Sequence, residues 1–126
     1  MKELIEKLIE VEKRTSQEKG EYDLFALFLR EESSNKWDVV VSSKWISQDK
    51  PGGLKYLSNK INEVLNKEEL ISISHIAIID EAGNKLSKVQ QAINVEHGSL
   101  EIRESNFFGL QIKRGFLITS RNNQAA

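Results

Sequence analysis

Residues 99–120, SLEIRESNFFGLQIKRGFLITS, decide the fold because apolar and polar side chains alternate along nearly the whole stretch. Side chains on a strand point in turn to opposite faces, so the pattern predicts a sheet with one buried face and one hydrated face. The stretch is too long for one ordinary strand. The polar residues at 104–106 therefore indicate two strands that meet in a turn near 104–107.

At the opposite end of the chain, residues 2 to about 18 are predicted to form a helix that stops before Gly20. Its apolar side chains fall on one stripe, which consists of Leu4, Ile5, Leu8, Ile9 and Val11. Because the stripe ends at Val11, we expect the second half of this helix to be exposed.

Two strands, residues 22–31 and 36–45, are predicted to pair as an antiparallel hairpin around the turn-forming residues 33–35. The first strand is apolar on both faces over residues 24–29, which favours a central position in the sheet. A second helix is expected to begin near Pro51 and to continue to about Asn66, since leucine, isoleucine and valine recur there at helical spacing.

The segment between this helix and the C-terminal strands begins with a predicted strand over 70–80 and a turn at 80–84. Residues 84–94 then indicate a short helix, with a short strand followed by a loop as the alternative. The element order α-β-β-α-β-(α)-β-β predicts an α+β fold. We expect one domain over residues 1–126, with residues 122–126 as a frayed tail. Its mostly antiparallel sheet would have about five strands, with two or three helices packed mainly on one face.

The composition excludes several classes of function. The chain contains no cysteine, which excludes disulfides, thiolate metal sites and a cysteine nucleophile. Its net charge is −1, and acidic and basic blocks alternate along it, which does not favour a polyanionic partner. Neither a signal peptide nor a stretch of about 20 apolar residues is present, so we expect a soluble, cytoplasmic protein without a membrane partner.

The two histidines are the first candidates for chemistry. His75 is in phase with apolar residues of the predicted strand 70–80, so we interpret it as a core or interface histidine bonded to a neighbour. His97 follows Glu96, and a Glu–His pair can bind metal or exchange protons. Adjacent residues on an extended segment point apart, however, so we interpret this pair as a polar surface loop. The sequence predicts no metal site and no cofactor.

One alternative is enzymatic. Asp80 at the end of a predicted strand and Gln111-Ile112-Lys113 on a later one resemble the metal site of restriction-endonuclease-like nucleases. The resemblance implies that Asp80 binds a metal ion and that Lys113 orients the attacking water. Glu101, on the intervening strand, could replace Gln111 as the second ligand. Asp80, Lys113 and either Glu101 or Gln111 would then have to converge in one concave site.

The preferred interpretation is a binding or interaction module that has no catalytic motif. We expect this module to self-associate, most simply as a homodimer. Three apolar residues are expected at exposed positions, namely Trp45, Phe107 and Leu117, and would form the interaction surface. A protein partner other than a second copy fits the same surface. Nucleic acid is a less favoured partner, although Trp37, Trp45 and the surrounding lysines could hold bases and phosphates.

Overall fold

The computed structural model describes residues 2–30, 36–79, 95, 97–107 and 110–120, and for residues 30, 105–107 and 110 it describes the backbone alone. The predicted turn at 80–84, the predicted helix or strand at 84–94 and the predicted tail at 122–126 lie outside these ranges. None of the helices in the described ranges has the length and hydrophobicity that a membrane span requires.

The described chain forms four helices and five strands. The helices are α1 (Lys2–Lys19), α2 (Lys44–Gln48), α3 (Lys50–Val64) and α4 (Lys67–Ile71). The strands are β1 (Tyr22–Arg30), β2 (Trp37–Ser43), β3 (Ile73–Ile78), β4 (Leu100–Phe107) and β5 (Leu110–Ser120).

The strands form one sheet in the order β3-β2-β1-β5-β4, which confirms the predicted α+β class and the central position of β1. Three pairs, β1–β2, β1–β5 and β4–β5, are antiparallel. The pair β2–β3 is parallel, so the sheet is mixed. The crossover through α2, α3 and α4 carries the chain back to the same end of the sheet, which makes a parallel pair possible.

The central strands are buried on both faces of the sheet. On one face, which we call the helix-side face, strand residues such as Phe25, Val39 and Phe116 pack against α1 and α3. On the opposite face a second cluster forms, whose buried members all lie on strands: Leu24, Ala26, Phe28, Val40, Ile112 and Leu117. The helices are therefore segregated to one face among the described residues, as the sequence predicts.

The expectation of a hydrated face holds only for the first part of β5, where Gln111 and Lys113 are exposed and Ile112 between them is buried. Residues 115–120 of β5 are all buried, including Leu117 and Thr119, which the alternation would place on the hydrated face. β5 lies between β1 and β4, and register shifts at 25–26 and 29–30 of β1 change which β5 residues share a face. A strand inside the sheet is therefore covered on both sides near its end.

Local capping decides several boundaries differently from the hydrophobic pattern. The second strand ends at Ser43, because the Ser43 side chain accepts a hydrogen bond from the Ile46 amide and begins α2. Asn66 and Glu69 form a reciprocal capping box, so α4 occupies the start of the predicted strand 70–80. β4 continues to Phe107, through the whole of the turn predicted near residues 104–107. An edge strand tolerates the polar side chains that suggested this turn.

His75 is not a core residue. It lies on β3 at the edge of the sheet with its side chain half exposed. Its Nδ1 atom is 3.3 Å from Oδ1 of Asp38, a buried carboxylate on the neighbouring strand. The predicted bond to a neighbour is present, whereas the predicted burial is not.

Candidate binding site at the C-terminal hairpin

A groove of about 430 Å³ lies between α1 and the C-terminal strands. Its apolar part consists of Ile5 and Ile9 from α1 and Phe116 from β5. Charged and polar groups complete it: Lys2, Glu6, Ser99 and Arg114. Apolar walls with a few polar groups are typical of binding clefts, and the volume falls within their usual range.

The Arg114 side chain is fixed beside this groove by two contacts. Its guanidinium lies over the Phe116 ring, 5.0 Å from the ring centre. Its Nε donates a hydrogen bond of 2.9 Å to Glu101, which also accepts a 2.7 Å bond from Arg103. The two guanidinium groups, Arg103 foremost, hold the pKa of the Glu101 carboxyl below its usual value.

A buried carboxylate lies one helical turn beyond Ile9 on α1. Glu12 is 0% exposed, and with the buried Thr15 it is an exception to the exposure predicted for the second half of α1, where Lys13, Arg14 and residues 17–19 are exposed. Its Oε1 accepts a hydrogen bond of 2.5 Å from Nδ1 of His97, and its Oε2 accepts one of 2.8 Å from the Thr119 hydroxyl. Burial of a charged carboxylate costs free energy unless other groups replace its hydrogen bonds to water. His97 and Thr119 supply these hydrogen bonds to Glu12.

The same contacts hold His97 in one orientation. Its backbone amide donates to the Thr119 hydroxyl oxygen at 3.2 Å, and its backbone has a φ of 49°, which L-residues rarely adopt. The imidazole is 34% exposed. Because Nδ1 faces the carboxylate, Nε2 is the ring nitrogen that the described residues leave for a hydrogen bond to another molecule.

The polar cluster extends to the buried Thr15 and Tyr22, whose hydroxyl groups are 2.8 Å apart. Burial raises the pKa of the Tyr22 phenol well above its usual value, so this hydroxyl stays protonated at physiological pH. The protonated phenol can donate to Thr15, whose own hydroxyl is within reach of the Val11 carbonyl at 2.8 Å. The cluster is therefore satisfied internally, except at the exposed edge of His97.

Three chain segments contribute residues both to the groove and to the cluster of Glu12, His97 and Thr119. On α1, Ile9 precedes Glu12 by three residues, which is roughly 5 Å along the helix. On β5, Phe116 precedes Thr119, and Ser99 is two residues from His97. The Glu12–His97–Thr119 cluster therefore lies beyond the end of the groove that Ile9, Phe116 and Ser99 mark.

Glu12 and Thr119 were not predicted as site residues. They are 107 positions apart, and no local motif connects them. One signal was available: Glu12 follows Leu8 by four residues and precedes Thr15 by three, so it continues the buried stripe of α1. A carboxylate on such a stripe indicates a buried partner, although the sequence does not identify that partner as His97.

The predicted interaction surface is not assembled as expected. Trp45 is half-buried, its indole N–H donates to the Gly20 carbonyl at 2.9 Å, and its ring packs edge-on against Tyr22 and Tyr56. Leu117 is 0% exposed and belongs to the cluster on the opposite face of the sheet. Phe107 is the last residue of β4, and its side chain lies outside the described part of the chain.

The structure describes Glu101, Gln111 and Lys113 of the proposed nuclease site, and the convergence of Asp80 with them stays a prediction. Glu101 is opposite Phe116, five residues from Gln111 on β5, which separates the two by roughly 17 Å along the strand. Gln111 and Lys113 are exposed, and Asp80 lies outside the described residues. Glu101 is occupied by two arginines, and in the described ranges no three His, Asp or Glu side chains could hold a metal ion.

The edge of the sheet beside the groove is formed by β4. Within the described chain, β4 is bonded to β5 on one side and has no strand on the other. Leu100 at its start is 42% exposed, and it is one of three exposed large apolar residues in the described ranges. An exposed strand edge with an apolar side chain can pair with another chain.

Comparison of the chain with known protein families, with curated proteins and with solved structures finds no match.

Proposed function

We propose that this protein is an interaction module that self-associates, and that the β4 edge forms the contact between two copies. The observation that carries the proposal is the position of β4, which is the last strand of the sheet in the described part of the chain and presents Leu100 to solvent. A strand edge has backbone donors and acceptors in place for a second strand, so pairing needs no further ligand.

The side chains along β4 also fit a contact that forms and separates reversibly. Glu101, Arg103 and Glu104 are exposed on the same edge strand as Leu100 and the half-buried Ile102. Charged groups on an edge strand limit uncontrolled aggregation, whereas the apolar residues favour a specific partner. We also propose a cytoplasmic location, with which the absence of cysteine is compatible.

The test compares two substitutions of exposed leucines. Leu100 on β4 and Leu54 on α3 are 42% and 38% exposed, so replacement by glutamate disturbs the folded monomer to a similar small extent. Sedimentation velocity between about 5 and 500 µM would measure association of the wild type, L100E and L54E. We expect L100E to weaken the dimer by roughly 30-fold, which is about 1 kcal/mol for each of two symmetric contacts.

L54E should associate like the wild type, since α3 is remote from the β4 edge. A wild-type protein that stays monomeric throughout this range would overturn the proposal. So would an L100E variant that associates as strongly as L54E does.

A further inference from the structure

We infer that two copies join their β4 strands antiparallel in a single register, with the two-fold axis at Ile102 and with Glu101 of each copy opposite Arg103 of the other. This inference rests on the proposed function and adds the residues that select the partner. The argument starts from the symmetry of a strand pair and then uses the charges on β4.

A two-fold axis between antiparallel strands is perpendicular to the sheet, so it must pass between two copies of the same residue. The axis residue fixes every other pair. An axis at Leu100 would place Glu101 opposite Ser99 and Arg103 opposite His97, so neither would face an opposite charge. An axis at Glu101 would place two carboxylates opposite each other, and an axis at Arg103 would place two guanidinium groups opposite each other. Like charges directly across a strand pair are destabilising.

An axis at Ile102 places opposite charges across from each other on either side of the axis. Glu101 then faces the partner's Arg103, and Arg103 faces the partner's Glu101, while the two Ile102 side chains meet at the centre. An axis at Glu104 would place two carboxylates opposite each other, and Glu104 also has a φ of 47°, which is outside the extended range.

The charges inside one copy favour the same arrangement. Arg103 is directly opposite Arg114 in the β4–β5 register, so two guanidinium groups share one carboxylate, Glu101. In the proposed pair a second carboxylate flanks Arg103 from its other side. Each row of the joined sheet then contains Arg114 and Arg103 of one copy, followed by Glu101 and Phe116 of the other.

Ile102 is also shaped for a central position. It lies across from Gly115, which has no side chain, and an added Cβ there would be 3.0 Å from Ile102 Cγ1. The Ile102 side chain therefore lies over Gly115 and close to Phe28. The side of Ile102 that faces away from β5 remains partly exposed at the edge of the sheet. Because the axis is perpendicular to the sheet, both α1 helices and both grooves would lie on the same face of the joined sheet.

The test uses two charge reversals that are expected to repel themselves and attract each other. E101R has two arginines at the contact positions, and R103E has two glutamates. Each variant alone should associate at least tenfold more weakly than the wild type. Mixed in equal amounts, the two should form a heterodimer, because every pair across the contact is then of opposite charge.

Native mass spectrometry and sedimentation of the mixture would measure the heterodimer, and circular dichroism of each variant would show that it is folded. As a second measurement, I102C should form a disulfide between copies under mild oxidation, whereas S99C should not. A wild-type dimer whose charge variants associate normally, show no preference for each other and give no I102C disulfide would overturn the register and leave self-association standing. A monomeric wild type would overturn both.

Discussion

The hydrogen bond between His97 and the buried carboxylate of Glu12 should contribute strongly to the stability of the fold. The substitution His97→Ala removes one of the two side chains that replace the hydration of a carboxylate that is 0% exposed. Breaking a buried charged pair on one side costs about 3–5 kcal/mol. The His97 ring is 34% exposed, so water can enter the vacated position, and we expect a loss of about 2–3 kcal/mol.

A second substitution separates this explanation from a simple loss of packing. In the double variant Glu12→Leu/His97→Ala the charge itself is gone, and leucine continues the apolar stripe of α1. Replacement of a buried ionic group by an apolar one of similar size is often neutral or stabilising. The double variant should therefore be more stable than His97→Ala alone, by about 1–2 kcal/mol.

Urea unfolding followed by tryptophan fluorescence would measure these differences, since Trp37 is buried and Trp45 is half-buried. Glu10→Leu is the matched control, because Glu10 is an exposed glutamate of α1 whose ion pair with Arg14 is worth at most about 0.5 kcal/mol. A His97→Ala variant that loses less than 1 kcal/mol would refute the reasoning. A double variant that is no more stable than His97→Ala alone would refute it as well.

Two further predictions concern packing and acid sensitivity. Gly115→Ala should destabilise the fold by about 1–3 kcal/mol in the same assay, because the new Cβ would lie 2.9 Å from Phe28 Cδ1 and 3.0 Å from Ile102 Cγ1; an unchanged urea midpoint would contradict this contact. Hydrogen bonds from Tyr56, Lys7 and Arg103 lower the pKa of three carboxyl groups below 4.5, namely Glu18, Glu69 and Glu101. Since their folded pKa is below the unfolded one, their contribution to stability is fully present at pH 6–8 and is lost as the pH falls below about 4.5. The Glu69→Gln variant should lose less stability than the wild type between pH 6 and 3, and equal losses would contradict the assignment.

The element types were largely predictable because they depend on short-range patterns. The helical stripe of α1, the turn residues between β1 and β2 and the alternation over residues 99–120 each lie within about 20 positions. The sequence also predicted that β1 is central, since a strand that is apolar on both faces must be covered on both sides. Capping was the main source of boundary errors, because one side-chain hydrogen bond at Ser43 or Asn66 outweighs a weak hydrophobic pattern.

The site depended on contacts between distant positions. Glu12 meets His97 across 85 residues and Thr119 across 107, and no spacing within the chain encodes either contact. Trp45 and Leu117 were assigned to the surface from local alternation, whereas the packing of α2, α3 and β5 against their neighbours covers them. Exposure is a property of the assembled layers, so a local pattern predicts it only where a single face is covered.

The sequence by itself determined the kinds of elements, their order and the class of the fold, because hydrophobic period and turn chemistry act over a few residues. Only the tertiary structure decided that β4 forms an edge, that Leu117 is inside and that a carboxylate of the first helix binds a histidine near the C-terminus. These outcomes depend on which strands become neighbours, and that choice is made by the free energy of burying both faces of the sheet together.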